Sequence, residues 1–232
     1  MNLSATRKYN KMPQHKKSTA LSDGKAAVRS VCRKRSKHAA LVQGMNEILT
    51  LVPTSTATKA GEIAPVFRFR DNVGKWVAPH RLRHQRPLVI VFHRGNWCEY
   101  CAAGLAAIEK AVPELCAVAT VLIISPQAPE QDPSGQLLRL SDPGNEVAAK
   151  FGLRYEVPSH LVALYQDLGI DVPGFAENES RTLPMSALYV VSCEGLVLYS
   201  EVHADYMSQP KPDNALLVLR ANRYRTLTTT WP

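Results

Sequence analysis

The chain has 232 residues, of which 45% are hydrophobic and 21% charged, with a net charge of +8; at roughly 150 residues per domain this fits one globular domain with an appendage and excludes a disordered or fibrous chain. No run of about 18 apolar residues is present, so no membrane-spanning helix is expected, and no apolar stretch follows the basic N-terminus, so no secretory signal is expected either. Five cysteines are too few for a disulfide-stapled scaffold, and the thiols are expected to be reduced and intracellular.

The charge is uneven. Residues 1–38 hold 11 of the 28 Lys and Arg and one of the 20 Asp and Glu, so the tail carries +10 and residues 39–232 carry −2. Residues 1–22 lack apolar periodicity and read as disordered. From Ser22 to about Thr50, positions such as Ala26, Val31, Met45 and Ile48 suggest a weak helix, interrupted by the basic run Cys32–Lys37. The tail also admits readings as an organelle transit peptide or, through Arg33-Lys-Arg35, as a weak nucleic-acid or nuclear-import signal, and Met45 is an alternative start. Residues 53–61 form a Thr/Ser-rich linker. The expected division is 1–58 as a basic extension and linker, and 59–228 as one domain.

Beyond the linker, alternation in Ala64–Arg70, then Asp71-Asn-Val-Gly and Lys75-Trp-Val, predicts a hairpin, with Phe67, Phe69 and Trp76 as packing residues. Pro87–His93 is a continuously apolar run, the pattern of a strand buried on both faces. Leu105, Ile108, Val112 and Leu115 are spaced as one helix face from Cys101 to about Cys116, with Pro113 expected to kink it. Val121–Ile124 predicts a second buried strand, Ser125–Gln136 a proline-rich loop, and Leu137–Leu140 a short strand. Asp142-Pro143 opens a predicted helix that runs to Phe151, with Pro at its first position and Gly152 beyond its end. A helix over His160–Leu168, a hairpin of Ser186–Val191 and Leu196–Val202 around Cys193-Glu-Gly195, and a closing helix from Asp213 to about Tyr224 complete the chain. Strand–helix alternation ending in a hairpin and a helix predicts an α/β sheet with an antiparallel edge.

The segment Phe92-His-Arg-Gly-Asn-Trp-Cys-Glu-Tyr-Cys101 carries the chemistry. It places two cysteines three apart where a buried strand turns into a helix. Helix N-termini present unpaired N–H groups and a partial positive charge, which lower a thiol's pKa and favour the nucleophilic thiolate. Arg94 adds a cation beside them and Trp97 a cover. The pair can attack an oxidised partner, close a disulfide and be reset by another thiol. Zinc would need two further ligands at similar spacing, and Cys32, Cys116 and Cys193 stand alone, so no metal is expected. No Gly-rich phosphate loop is present, so no nucleotide cofactor is expected. His93 reads as a hydrogen-bonded strand-end residue, with a role as base or cation as its alternative; Cys116 reads as core and Cys193 as incidental.

In chain order, Ala64-Pro-Val-Phe67, Asp71-x-x-Gly74, the Val91–Cys101 block, Ile124-Ser-Pro126, Leu140-Ser-Asp-Pro-Gly144, Phe151-Gly-Leu153, Leu183-Pro184 and Glu194-Gly195 resemble the alkyl hydroperoxide reductase/thiol-specific antioxidant superfamily, in particular its peroxiredoxin-like C-x-x-C branch. The resemblance covers about residues 60–225. It implies a thioredoxin-like fold, a central mixed sheet flanked by helices, with Pro184 as a cis-proline facing the site. It also implies a redox-active antioxidant enzyme that reduces hydroperoxides through a Cys98/Cys101 disulfide cycle, with Cys101 at the peroxidatic position. The alternative is a thioredoxin-like protein-disulfide reductase in which Cys98 attacks first. The expected partners are a hydroperoxide or disulfide substrate and thioredoxin or another thiol reductant, with neither membrane nor nucleic acid among them. The expected location is the cytoplasm, or the mitochondrion if residues 1–44 are a transit peptide. Three departures stand out: the family pattern P-x-x-x-T-x-x-C has Arg94 and Cys98 here in place of Pro and Thr, its later arginine falls near Ser186, and the branch's usual Pro between the cysteines is Glu99.

Overall fold

The computed structural model describes residues 39–40, 42–44, 46–52, 54–70, 76–82, 86–127, 136–172, 181–205 and 207–228. The expected disorder of 1–22, the first part of the weak helix with Cys32, the hairpin turn at 71–75 and most of the 125–136 loop lie outside them. The chain divides into two units, Met1–Gln43 and Gly44–Pro232. In the first, residues 39–40 and 42–43 are helical; in the second, helix is present at 44 and 46–51. All the elements below belong to the second unit.

Its strands are β1 (Phe69–Arg70), β2 (Trp76–Val77), β3 (Leu88–Phe92), β4 (Thr120–Ser125), β5 (Leu137–Ser141), β6 (Arg154–Glu156), β7 (Thr182–Pro184), β8 (Ser186–Val191) and β9 (Val197–His203). Its helices are α1 (Pro79–Leu82), α2 (Glu99–Val118), α3 (Glu146–Lys150), α4 (Ser159–Asp167) and α5 (Pro212–Thr228). The main sheet runs β5-β4-β3-β8-β9. β3 pairs parallel with β4, and β4 with β5, while β8 lies antiparallel to β3 and β9 antiparallel to β8. The antiparallel edge foreseen from the sequence is thus the β8–β9 hairpin. The expected first hairpin shrinks to two-residue strands, with Phe69 opposite Val77.

Because side chains alternate across a strand, the sheet has two distinct faces. Val89 and Val91 of β3, Val121 and Ile123 of β4, and Leu188 and Val190 of β8 pack with Leu105, Ile108, Val112 and Leu115 of α2 and with Ala215 and Leu219 of α5. On the other face Phe92, Phe151 and Tyr189 stack, with ring centroids 5.1 Å apart for Phe92–Phe151 and Phe151–Tyr189. Phe67 reaches Phe151 edge-on at 5.8 Å, whereas Trp76 is exposed, with Arg68 over its ring. The central strand β3, buried at every position, therefore has a rigid end from which a functional turn can project.

Two expectations are corrected. The helix foreseen from Asp142-Pro143 starts later, at Glu146. Asp142 stays outside it, and its carboxylate accepts the N–H groups of Val147 and Ala148 at 3.1 and 2.9 Å. Pro143 sits in the intervening turn, and Asn145 reverses the chain at φ 54° before the helix begins. Pro184 is not a cis-proline: every described peptide bond is trans. It closes the extended strand β7 opposite Arg154 of β6, and an extended trans backbone carries the chain directly on to Met185, whose N–H bonds Leu153. The Thr/Ser-rich stretch docks on the domain: Thr56 Oγ1 donates to Gly152, Thr58 N–H to Phe151 and Gly61 N–H to Val197. The helix α2 continues through the exposed Pro113 to Val118.

Candidate functional site

The end of β3 leads through His93–Cys98 into α2. Gly95 adopts φ +118°, and a Cβ there would lie 2.8 Å from Gln127 Oε1, the oxygen that accepts the Asn96 N–H. Only glycine fits this turn without strain. Cys98 is the N-cap of α2, with an extended backbone (φ −94°, ψ 109°), and its carbonyl accepts the first helical bond, from Ala102. Cys101 follows in the first turn, so both sulfurs share one helix terminus. They are buried, at 6% and 1% exposure, and Trp97 packs over them. The two side chains are near enough to hydrogen-bond to each other.

Arg94 completes the group. It is 1% exposed, and its Nη2 donates to Cys98 Sγ at 3.3 Å. Its charge and hydrogen bonding also act on Cys101 and on the hydroxyls of Tyr155 on β6 and Tyr165 on α4. Trp97 donates from Nε1 to the Arg94 carbonyl at 2.7 Å, its ring lying 5.7 Å from the guanidinium carbon and edge-on to Tyr165 at 5.8 Å. The guanidinium is thus surrounded by four weak acids, and a buried cation favours ionising the most acidic of them.

That acid is Cys101. The hydrogen bond donated by the Cys98 thiol lowers its pKa most; burial opposes, and the charge and hydrogen bonds of Arg94 bring it down to about 5. The same bond pushes Cys98 upward, and burial adds to the rise, so Cys98 holds its proton. Burial also raises Tyr155, and Tyr165 to about 12. His93 is buried with Nδ1 accepting the Gly95 N–H at 3.2 Å. Desolvation, helped by Arg139, lowers its pKa to about 4, so it is a neutral, hydrogen-bonded ring as expected. Glu99 is exposed to water, where its field on the thiols is screened.

The site thus gathers Cys98, Cys101, Trp97 and Arg94 as the sequence suggested, with Pro184 placed in the β6–β7 pair. Tyr155 and Tyr165 were not foreseen. Each reads in sequence as an ordinary packing residue, and only the tertiary fold carries them to Arg94. Cys116 packs against the core and Cys193 lies in the β8–β9 turn, neither of them in a disulfide. Among the described residues no group of three or more His, Cys, Asp or Glu forms a metal-binding set, and no helix is long and apolar enough to cross a membrane.

A thiol pair at a helix N-terminus, fed by the central strand of a mixed sheet, defines a thioredoxin-like thiol oxidoreductase. The chain belongs to the AhpC/TSA family, whose model matches residues 60–200; it is an enzyme of the peroxidase and thiol-oxidoreductase class. Its fold is similar to that of the reduced 2-Cys peroxiredoxin of Plasmodium vivax (13% identity, 73% of this chain and 84% of that one, TM-score 0.53). It is also similar to the mitochondrial 2-Cys peroxiredoxin of Plasmodium falciparum (11%, 74% and 98%, 0.53) and to a thiol peroxidase of Chromobacterium violaceum (15%, 73% and 90%, 0.50). No curated protein matches the chain.

Proposed function

We propose that the protein reduces hydroperoxides through a Cys98–Cys101 disulfide cycle. The observation that carries this reading is the convergence of both sulfurs on the buried Arg94 guanidinium at one helix terminus. The Cys101 thiolate attacks the terminal peroxide oxygen and the O–O bond breaks. The sulfur is oxidised to sulfenic acid, and the departing alkoxide or hydroxide takes a proton from solvent. The Cys98 thiol then condenses with the sulfenic acid, releasing water and forming the disulfide. Two electrons from an external dithiol, of the thioredoxin kind or another thiol, restore both cysteines. The cytoplasm is the expected setting, or the mitochondrion if residues 1–44 act as a transit peptide.

The reverse order, with Cys98 attacking a protein disulfide, draws support from its greater exposure, 6% against 1%. The proton that Cys98 retains argues against it. Single variants decide the matter. Cys101→Ser should abolish rapid peroxide consumption, and Cys98→Ser should permit one turnover that ends at sulfenic acid, detected by thiol trapping and mass spectrometry. Consumption that survives Cys101→Ser but is lost in Cys98→Ser would overturn the assignment.

A further inference from the structure

A cavity of about 10 Å³ lies beside Cys101, walled by His93 at the end of β3, Gly104 and Leu105 of α2, and Gln209 and Pro210 ahead of α5. That is room for about one water-sized group. Two contacts fix its Gln209 wall. The Gln209 Nε2 donates to Ser186 Oγ at 3.3 Å, tying the side chain to the first residue of β8. Against α2 it lies so close that a Cβ on Gly104 would sit 2.8 to 2.9 Å from three of its atoms. The missing side chain at 104 is what lets Gln209 close down on the cavity. His93 also lines the cavity, and because its Nδ1 accepts the Gly95 N–H the ring proton sits on Nε2.

We infer that this cavity seats the reacting end of the hydroperoxide, and that Gln209, anchored by Ser186 and admitted by Gly104, restricts Cys101 to hydrogen peroxide in preference to bulky alkyl hydroperoxides. The inference rests on the peroxidase reading above. The attacked oxygen must approach the sulfur in line with the O–O bond it will lose, so the leaving oxygen lies close behind it. When that oxygen carries only hydrogen, it can depart as hydroxide and take up a solvent proton to become water. An aryl or tertiary alkyl group on it would have to displace Gln209 or Pro210. The burial of His93 keeps its ring neutral above about pH 4, so it brings no second cation to the site.

The test follows Cys101 oxidation in the reduced full-length protein, using stopped-flow mixing with hydrogen peroxide and with cumene hydroperoxide. The wild type should prefer hydrogen peroxide by at least about tenfold, and Gln209→Ala should shrink that preference by a similar factor through a faster reaction with cumene hydroperoxide. Gly104→Ala, which pushes Gln209 away, should shift the ratio in the same direction. A wild-type ratio near one overturns the inference whether or not any variant folds. So does a ratio unchanged in both folded variants. If neither peroxide reacts faster than with a free thiol, the peroxidase reading fails and this one fails with it; rapid but size-blind oxidation defeats this inference alone.

Discussion

At the scale of single residues, the site divides one proton between two thiols. Cys98 keeps it and donates it as a hydrogen bond, and Cys101 becomes the thiolate because that bond and Arg94 both favour its charge. Since Cys101 is held near 5, alkylation by iodoacetamide should rise through that pH as the thiolate fraction grows and level off by about two units above it. Cys98→Ala removes the donor and should move the midpoint upward, while Cys98→Ser, which keeps a hydroxyl donor, should move it less. Equal midpoints in the two variants would show that the bond plays no part. Arg94→Lys replaces a planar fork able to reach both sulfurs and both tyrosines by a single ammonium. Each unit by which the Cys101 pKa rises should lower its reactivity at acidic pH about tenfold, read from the same alkylation profile.

At the scale of elements, the parts legible in the sequence are those coded by contiguous residues. β3 is an unbroken apolar run because both its faces are covered, and the cysteines with Trp97 and Arg94 fall in one ten-residue stretch after it. Local signals failed where a side chain acts from outside an element. Pro143 looks like the first residue of a helix, yet Asp142 caps α3 from a turn away and Asn145 takes a left-handed conformation that no pattern announces. Tyr155 on β6, Tyr165 on α4 and Gln209 ahead of α5 all lie more than fifty residues beyond Cys101 in the chain, so spacing could not place them. The docking of residues 54–61 was hidden for the same reason, as its acceptors lie beyond α3 and on β9. One glycine controls that docking. Gly152 sits at φ +68°, and a Cβ on it would approach the Thr56 carbonyl oxygen to 1.9 Å. Gly152→Ala should therefore lose at least the roughly 1–2 kcal/mol of a left-handed alanine, measured by urea denaturation, and residues 54–58 should become more open to proteolysis. A variant as stable as the wild type would show that the chain relaxes at no cost.

At the scale of the whole molecule, charge and chemistry are separated in the sequence. The tail carries +10, and the remaining residues, which include the site, sum to −2. The proposed oxidant, hydrogen peroxide, is uncharged, and the Arg94–Cys101 pair is shielded from bulk ions by burial. The rate of Cys101 oxidation should therefore stay constant between low and high salt, and should be the same after removal of residues 1–38. A rate that falls steeply with added salt would mean that the tail steers the oxidant or that the site is open to counterions.

The buried guanidinium has one more consequence, for the direction in which electrons move. Arg94 stabilises a thiolate, and a thiolate exists only while the cysteines are reduced. Closing the disulfide removes the anion and leaves the cation facing neutral sulfur, so the oxidised state gives up attraction that the reduced state enjoys. In the proposed Cys98–Cys101 cycle such a dithiol would have a raised reduction potential and yield its disulfide readily to an incoming thiol. The enzyme would thus idle in its reduced form, loaded for the next oxidant.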